Sequence, residues 1–450
     1  MDLKDLIVTP ITLLIIYLLA FWLRGKTTDY TIKRYFIPAL TVKIIGAIGL
    51  GVVYQFYYGG GDTFSFFNLG SKHIYDAFLN SPVKGIQLLF ANGEYQPSTL
   101  NYAVNIYFYK DLSSYFVVRV AAFFDLFTFH TYSATACWFA FISFTGMWAL
   151  FKTFYRIFPA LHKELAIAIL FIPSVFFWGS GILKDTLTIG ALGWMTYGVY
   201  NVFIARRKWL INIIIILITG YIIYSIKIYI LLCFLPGVII WVFFTYFSKI
   251  ESIVAKIGLA PVVLTAIVVM SYFAVIKVGE DNDRYSLDRI SNTAEITARW
   301  LTYVSHREGG SFYTLGDFDY SPSGMVKKFI PGIWVTLFRP YLWEVKNPVM
   351  MLSSLESLAM FLFTFYIFLI NPGIRKSISI IFKNPFVLFC LVFSIAFAFA
   401  VGFSTYNFGS LVRYKIPLIP YFITALFVIR YEAQSKFRRH KKSLSTIEQA

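Results

Sequence analysis

The chain has 450 residues, of which 58% are hydrophobic, 20% aromatic and only 14% charged. A soluble domain cannot hide that much apolar surface, so the composition specifies an all-α polytopic membrane protein. The formal charge of +17 would suggest nucleic acid in a soluble protein, but here Lys and Arg gather in short loops between apolar runs, and no basic and aromatic run reads as a nucleic-acid module.

A span needs about 20 apolar residues, somewhat fewer where it is bundled. About eleven runs qualify, centred on residues 7–23, 39–58, 133–151, 165–178, 186–204, 209–226, 228–247, 259–276, 352–370, 385–403 and 416–429. Residues 1–23 lack a small-residue cleavage pattern and read as a first span, not a removed signal. Cys137, Cys233 and Cys390 all fall inside apolar runs and read as small core residues. The five histidines show no metal-ligand spacing.

Charge orients the bundle. Segments 24–34, 152–164, 205–208, 249–256, 375–383 and 430–442 hold 21 Lys or Arg against 4 Asp or Glu. The alternate segments are balanced: 3 positive and 4 negative residues in 59–115, and 8 and 9 in 280–346. The first set is therefore expected in the cytoplasm. This predicts a multi-pass protein of the cytoplasmic (inner) membrane with its N-terminus outside and its C-terminus inside. Residues 1–430 read as one transmembrane domain with extracytoplasmic loops at 59–132 and 279–348, and residues 431–450 as a basic cytoplasmic tail.

In chain order, the first unusual stretch is Tyr57-Tyr58-Gly59-Gly60-Gly61-Asp62-Thr63-Phe64, where a long apolar segment leaves the bilayer. The glycines permit a tight turn with positive φ and leave room for a bulky ligand beside the Asp62 carboxylate. Asp62 reads either as the mouth of a membrane-embedded active site or as a solvated aspartate after a helix end. The rest of this loop is too apolar and aromatic for a free linker, and residues 64–78 and 115–129 read as helices lying at the interface.

The second stretch is Trp178-Gly179-Ser180-Gly181-Ile182-Leu183-Lys184-Asp185-Thr186. A glycine-rich turn opening a helix offers free N–H groups and a positive dipole end to an anion, and Lys184 adds a full charge. A tight turn with a snorkelling Lys184 paired to Asp185 accounts for it equally well. In the second long loop, Glu280-Asp281-Asn282-Asp283 and Asp317-Phe318-Asp319 have the hard oxygens for a divalent cation, the one cofactor the sequence suggests, although a solvated loop is the simpler account. Arg339, Trp343 and Glu344 stand among aromatics before a span, placed either to bind a sugar or to anchor at the headgroups. Within the spans, Glu356 is the clearest ionisable residue.

The third stretch, Gly409 to Pro420, puts Arg413 and Lys415 on the side where the positive-inside rule disfavours them. A guanidinium fork there suits phosphate or pyrophosphate. Its Arg413-Tyr414-x-x-Pro417-x-x-Pro420 pattern resembles one found in GT-C-type integral-membrane glycosyltransferases, which also place a key acidic residue in the first large extracytoplasmic loop. The resemblance covers two short motifs and the general layout. It implies transfer of a sugar, with inversion, from a polyprenyl-phosphate-linked donor to a glycan, lipid or protein acceptor. It also implies Asp62 as the base, Arg413, Lys184 and Lys415 on the donor phosphate, and Tyr414, Arg339, Trp343, Glu344 and Asp76 around sugar and acceptor. Two departures stand out: the acidic loop follows the second span instead of the first, and Asp62 stands without an adjacent carboxylate. A polysaccharide polymerase or ligase relying on Arg119, Arg339 and Arg413, or a flippase for a lipid-linked glycan, also fits an apolar bundle with a basic outer pocket.

Overall fold

The computed structural model describes residues 3–247, 327–405 and 407–447, and isolated positions between 265 and 315. Among these residues the regular elements are all helices. Seven are long and apolar enough to cross a membrane, or eight if one bent pair counts as a single span. The chain divides into two compact units, Met1–Ile228 and Tyr229–Ala450.

In the first unit, α1 (Asp5–Thr27) buries Thr9, Thr12, Ile16 and Ala20, a stripe at helical spacing. Its other faces carry exposed Leu6, Ile11, Leu14, Leu18 and Trp22, which suits contact with lipid. α2 (Lys33–Val52) is joined to α1 by a hydrogen bond between the Tyr17 and Thr41 hydroxyls at 2.8 Å. Five short helices follow: α3 (Asp62–Phe66), α4 (Lys72–Asn80), α5 (Pro82–Leu89), α6 (Leu100–Ala103) and the longer α7 (Leu112–Thr128). They form the helical layer expected of the first long loop.

The hub is α8 (Tyr132–Ile157), whose apolar window is 83% buried against 22% for α1. Small residues explain how it packs so closely. Ser143 and Gly146 on α8 meet Gly190 and Gly193 on α11 (Lys184–Val199), and a Cβ on Gly146 would fall 1.9 Å from the Gly190 carbonyl oxygen. The apolar run at 165–178 forms two short helices, α9 (His162–Leu170) and α10 (Pro173–Trp178), because Pro173 has no N–H to continue α9 and instead starts α10. The runs at 209–226 and 228–247 are two helices that meet at a kink and are labelled together α12 (Trp209–Phe247); the break is at Lys227, whose φ of −148° and ψ of 74° are not helical.

The two ends of this unit differ in charge. One end gathers Arg24, Lys26, Lys33, Arg34, Lys152, Arg156, Lys163, Arg206, Arg207 and Lys208 from helix termini and turns, with Arg34 beside His162 and Arg156 bonded to Asn201. The other end is balanced, holding Asp5, Asp62, Asp111, Asp125 and Asp185 together with Lys72, Lys110 and Lys184, and is tied in by the contacts Asp5–Ser133, Thr63–Tyr132 and Ser71–Asp125.

The second unit contains α13 (Phe329–Phe338), α14 (Pro348–Phe365), the amphipathic α15 (Ile374–Lys383), α16 (Pro385–Ser404), α17 (Phe408–Tyr414) and α18 (Ile419–Ile447). α17 and α18 meet at 64° and make the bent pair. Phe234 and Trp241, from the C-terminal half of α12, pack with Phe389, Phe393 and Tyr421 in an aromatic core. Helix α18 runs into the basic tail, so residues 431–447 extend the last helix. The run at 259–276, the Glu280–Asp283 group and the Asp317–Asp319 pair lie outside the described residues.

Candidate functional site

At the end of the first unit opposite the basic one, α2 ends in a π-turn (Val53–Tyr57) and the chain passes through Gly59, Gly60 and Gly61 with φ of 68°, 143° and 130°. L-residues rarely adopt this backbone, which accounts for the glycine run. At Gly61 a side chain would also strike the Tyr54 ring, 2.6 Å from a Cβ. The turn delivers Asp62 as the first residue of α3, exposed to solvent. There it favours the positive end of the helix dipole.

Lys184 opens α11 with no side-chain cap on the helix. Its ammonium donates to Ser113 Oγ at 2.8 Å and lies 3.6 Å from Asp111 Oδ2. Asp62 and Lys227 are among the other charges acting on it. Asp111 caps α7, accepting from the backbone N–H groups of Ser113 and Ser114 and from both their hydroxyls, the latter at 2.8 and 2.6 Å. Burial pushes the Asp111 carboxyl up, but Lys184 and the serine donors outweigh it and hold the group at about 2.

Asp185 pairs with Lys227 and also acts on the charge of Lys184. Both partners are nearly inaccessible, and the pair ties the first turn of α11 to the break in α12. The turn before Lys184 is held from behind by Lys43, a buried lysine in α2 that donates to the Gly179 carbonyl at 2.6 Å and to Ser143 Oγ at 2.8 Å. Asp76 sits half-buried on α4 next to His73, whose imidazole burial pushes below the usual range.

The remaining predicted residues belong to the second unit. Arg339 and Glu344 bind each other through paired hydrogen bonds, Glu344 also accepting from the Tyr341 N–H at 2.8 Å. The guanidinium is ringed by Tyr313, Tyr341 and Phe408 at 5.1–5.7 Å. Lys415 is 1% exposed and donates to the Arg339 carbonyl at 3.2 Å and to Ser357 Oγ at 2.9 Å, with Glu356 near enough to act on its charge. Arg413 lies over its neighbour Tyr414 at 5.2 Å. Trp343 is 81% exposed and stacks on Tyr341 at 4.8 Å, a geometry that serves either a sugar face or headgroup anchoring.

The structure thus places Asp62 and Lys184 in one electrostatic cluster, and Arg339, Glu344 and Lys415 in another. Sequence reading passed over Asp111, Lys43, Lys227 and a buried Asp125–His130 pair. Asp111-Leu112-Ser113-Ser114 carries a helix-start signature that was there to be read. Lys43 was visible as an ionisable residue inside a span. Among the described residues, no group of three or more His, Cys, Asp or Glu is arranged to hold a metal. No protein-family model, curated protein or solved structure matches the chain.

Proposed function

We propose that the protein is a membrane glycosyltransferase that moves a sugar from a polyprenyl-phosphate-linked donor to an envelope glycan, lipid or protein acceptor, with its site at the Asp62 end of the first unit. The observation that carries this reading is Asp62, exposed beyond a glycine turn that only glycines tolerate and near enough to act on the charge of Lys184 at the start of α11. Asp62 takes the proton of an acceptor hydroxyl as that oxygen attacks the anomeric carbon. Lys184, held by Ser113 on one side, exchanges its Asp111 contact for the donor phosphate and opposes the charge that grows there as the C–O bond breaks. No nucleotide-binding fold is required, because the donor is already lipid-linked.

The finer architecture belongs to the same proposal. An α-helix of 39 residues is about 58 Å long at 1.5 Å per residue, against a hydrocarbon core of about 30 Å. We therefore count α12 as two spans meeting at Lys227. Adding α9 and α10 as one short broken span and the run at 259–276 brings the total to eleven, in a GT-C-like layout. The basic end then faces the cytoplasm and the Asp62 end the outside of the inner membrane.

The test is transfer of labelled sugar from a panel of polyprenyl-phosphate sugars by purified protein, with Asp62→Asn, Lys184→Met and Arg413→Ala compared with wild type. If Asp62→Asn is indifferent and Arg339→Ala or Arg413→Ala abolishes the joining of lipid-linked oligosaccharides, the polymerase or ligase reading replaces this one.

A further inference from the structure

Between two candidate spans of the second unit lies a helix that does not cross the membrane. α15 (Ile374–Lys383) stands between α14, whose apolar segment runs on through a π-helical turn to Ile370, and α16, which begins at Pro385. A helix of 10 residues reaches about 15 Å at 1.5 Å per residue, half of a hydrocarbon core of about 30 Å. α15 therefore lies along one membrane face, where α14 ends and α16 begins. Gly373 turns the chain into it with a φ of 87°, and Asn384 ends it by capping α16, accepting from the N–H groups of Phe386 and Val387.

One side of α15 faces the rest of the unit. Ser377 and Ile380 are buried there as the helix packs on α16, α18 and the π-helical turn, with Ser377 Oγ donating to the Ile367 carbonyl at 3.3 Å. Next around the helix, at every fourth position, come Ile374, Ile378 and Phe382, which are 53%, 45% and 73% exposed. Arg375, Lys376 and Lys383 occupy the remaining face, all exposed. An apolar stripe beside a basic one suits a bilayer interface, with the first set of side chains below the headgroups and the second at their level.

The same end of the unit gathers further positive charge. Arg430 of α18 lies over the Tyr366 ring at 5.8 Å, and the Tyr366 hydroxyl accepts from Asn371 Nδ2 at 3.2 Å just before α15. Asn384 also donates to Glu432, which fixes that point of α18 beside the C-terminal end of α15. Beyond it the α18 sequence carries Lys436, Arg438, Arg439, Lys441 and Lys442. From residue 357 to 431 the sequence contains no Asp or Glu. Among the described residues, no carboxylate pairs with Arg375, Lys376 or Lys383.

We propose that α15 is a docking helix for anionic phospholipid: Ile374, Ile378 and Phe382 enter the acyl region, and Arg375, Lys376 and Lys383 bind headgroup phosphates, with Arg430 and the basic end of α18 adding to the field. A protein partner would have to bring its own apolar groove to this stripe. A leaflet is already there, because α14 and α16 enter it on either side. The positive-inside expectation makes it the cytoplasmic leaflet. Lipid binding here is independent of sugar transfer, and the two fail separately.

The test follows amide hydrogen exchange of residues 374–383 in full-length protein, one copy per nanodisc, in phosphatidylcholine alone and in an equal mixture with phosphatidylglycerol. Exchange is slower in the mixed discs, and high salt removes the difference because attraction to the headgroups is screened. Each basic residue beside an anionic leaflet is worth about fivefold, so Lys376→Gln lowers the added protection by about that factor, and Arg375→Gln, Lys376→Gln and Lys383→Gln together abolish it. These side chains are exposed, so the variants melt with wild type in phosphatidylcholine. Ile378→Asp speeds exchange in both lipids. Equal exchange of wild type in the two lipids overturns the proposal without recourse to a variant. Inorganic phosphate giving the same protection in phosphatidylcholine discs also overturns it, in favour of a site for free anions. Protection that arises only with two copies per disc does so in favour of an interface between copies of the chain.

Discussion

Lys184 and Asp111 are coupled, and acid should reveal it. The Asp111 carboxyl lies at about 2 in the folded protein against an ordinary 3.8. A group depressed in this way stabilises the fold above its unfolded pKa and loses that contribution as pH falls through the folded value. Thermal melts of wild type and Asp111→Asn should therefore differ by a constant margin from neutral pH down to pH 4 and converge between about 3.8 and 2. A margin that closes at neutral pH would show that the Lys184 contact is not what holds the carboxyl. Lys184→Met should cost transfer about 10²–10³-fold, the scale of a lost donor at a developing negative charge, with less effect on acceptor KM than on kcat. Equal loss in KM alone would make Lys184 a ground-state binding group. Some of this was legible in the sequence. Three consecutive glycines before an acid at the end of an apolar run announce a strained turn, and the positive φ values at Gly59 to Gly61 are what that run is for. The Lys227–Asp185 pair was not legible, because it joins residues 42 positions apart through packing that no local pattern encodes. The same holds for Asp125, whose partners Ser71 and Thr135 lie on either side of it in the chain.

Among the elements, the α8–α11 crossing is the one on which the first unit depends most. Helices in lipid have little hydrophobic reason to associate, so close approach through small residues has to do the work of holding them. Gly146→Ala places a methyl group where the Gly190 carbonyl oxygen now sits. It should destabilise the detergent-solubilised protein by about 1–3 kcal/mol, the usual cost of overpacking a close contact. Gly25→Ala, with nothing within 4 Å of its Cβ, should leave the melting temperature unchanged or slightly raised. If the two substitutions behave alike, the crossing is looser than its geometry indicates. Helix existence was readable from apolar runs, whereas interruptions were read less well. Pro173 marks the α9–α10 division in the sequence, because a residue without an N–H ends one helix and suits the first turn of the next. The apolar runs divide at Lys227, and two helices meet there in a kink with Lys227 as the non-helical residue. A single charge among apolar residues says that the chain changes environment there, but not how the backbone does so.

At the scale of the whole molecule, the distribution of charge and the proposed site make one joint prediction: the basic end of the first unit should face the cytoplasm and the Asp62 end should face outward. Cysteine placed at exposed Asn92 should react with a membrane-impermeant maleimide in intact cells, and cysteine at exposed Lys208 only after permeabilisation. The reverse pattern would invert the bundle and put Asp62 on the side of nucleotide-linked sugars. Orientation of this kind is an expectation drawn from composition, carried by Lys and Arg in short loops. The chemistry was less readable, since it depends on which distant charges the fold gathers around Lys184. The most direct measurement is single-turnover transfer of labelled sugar from polyprenyl-phosphate donors by wild type and Asp62→Asn, with donor binding measured in parallel. Loss of transfer by about 10²–10⁴-fold, the contribution of a positioned base, with donor affinity retained, is the predicted result. Full transfer by a folded Asp62→Asn protein would contradict the account and remove the carboxylate on which it is built.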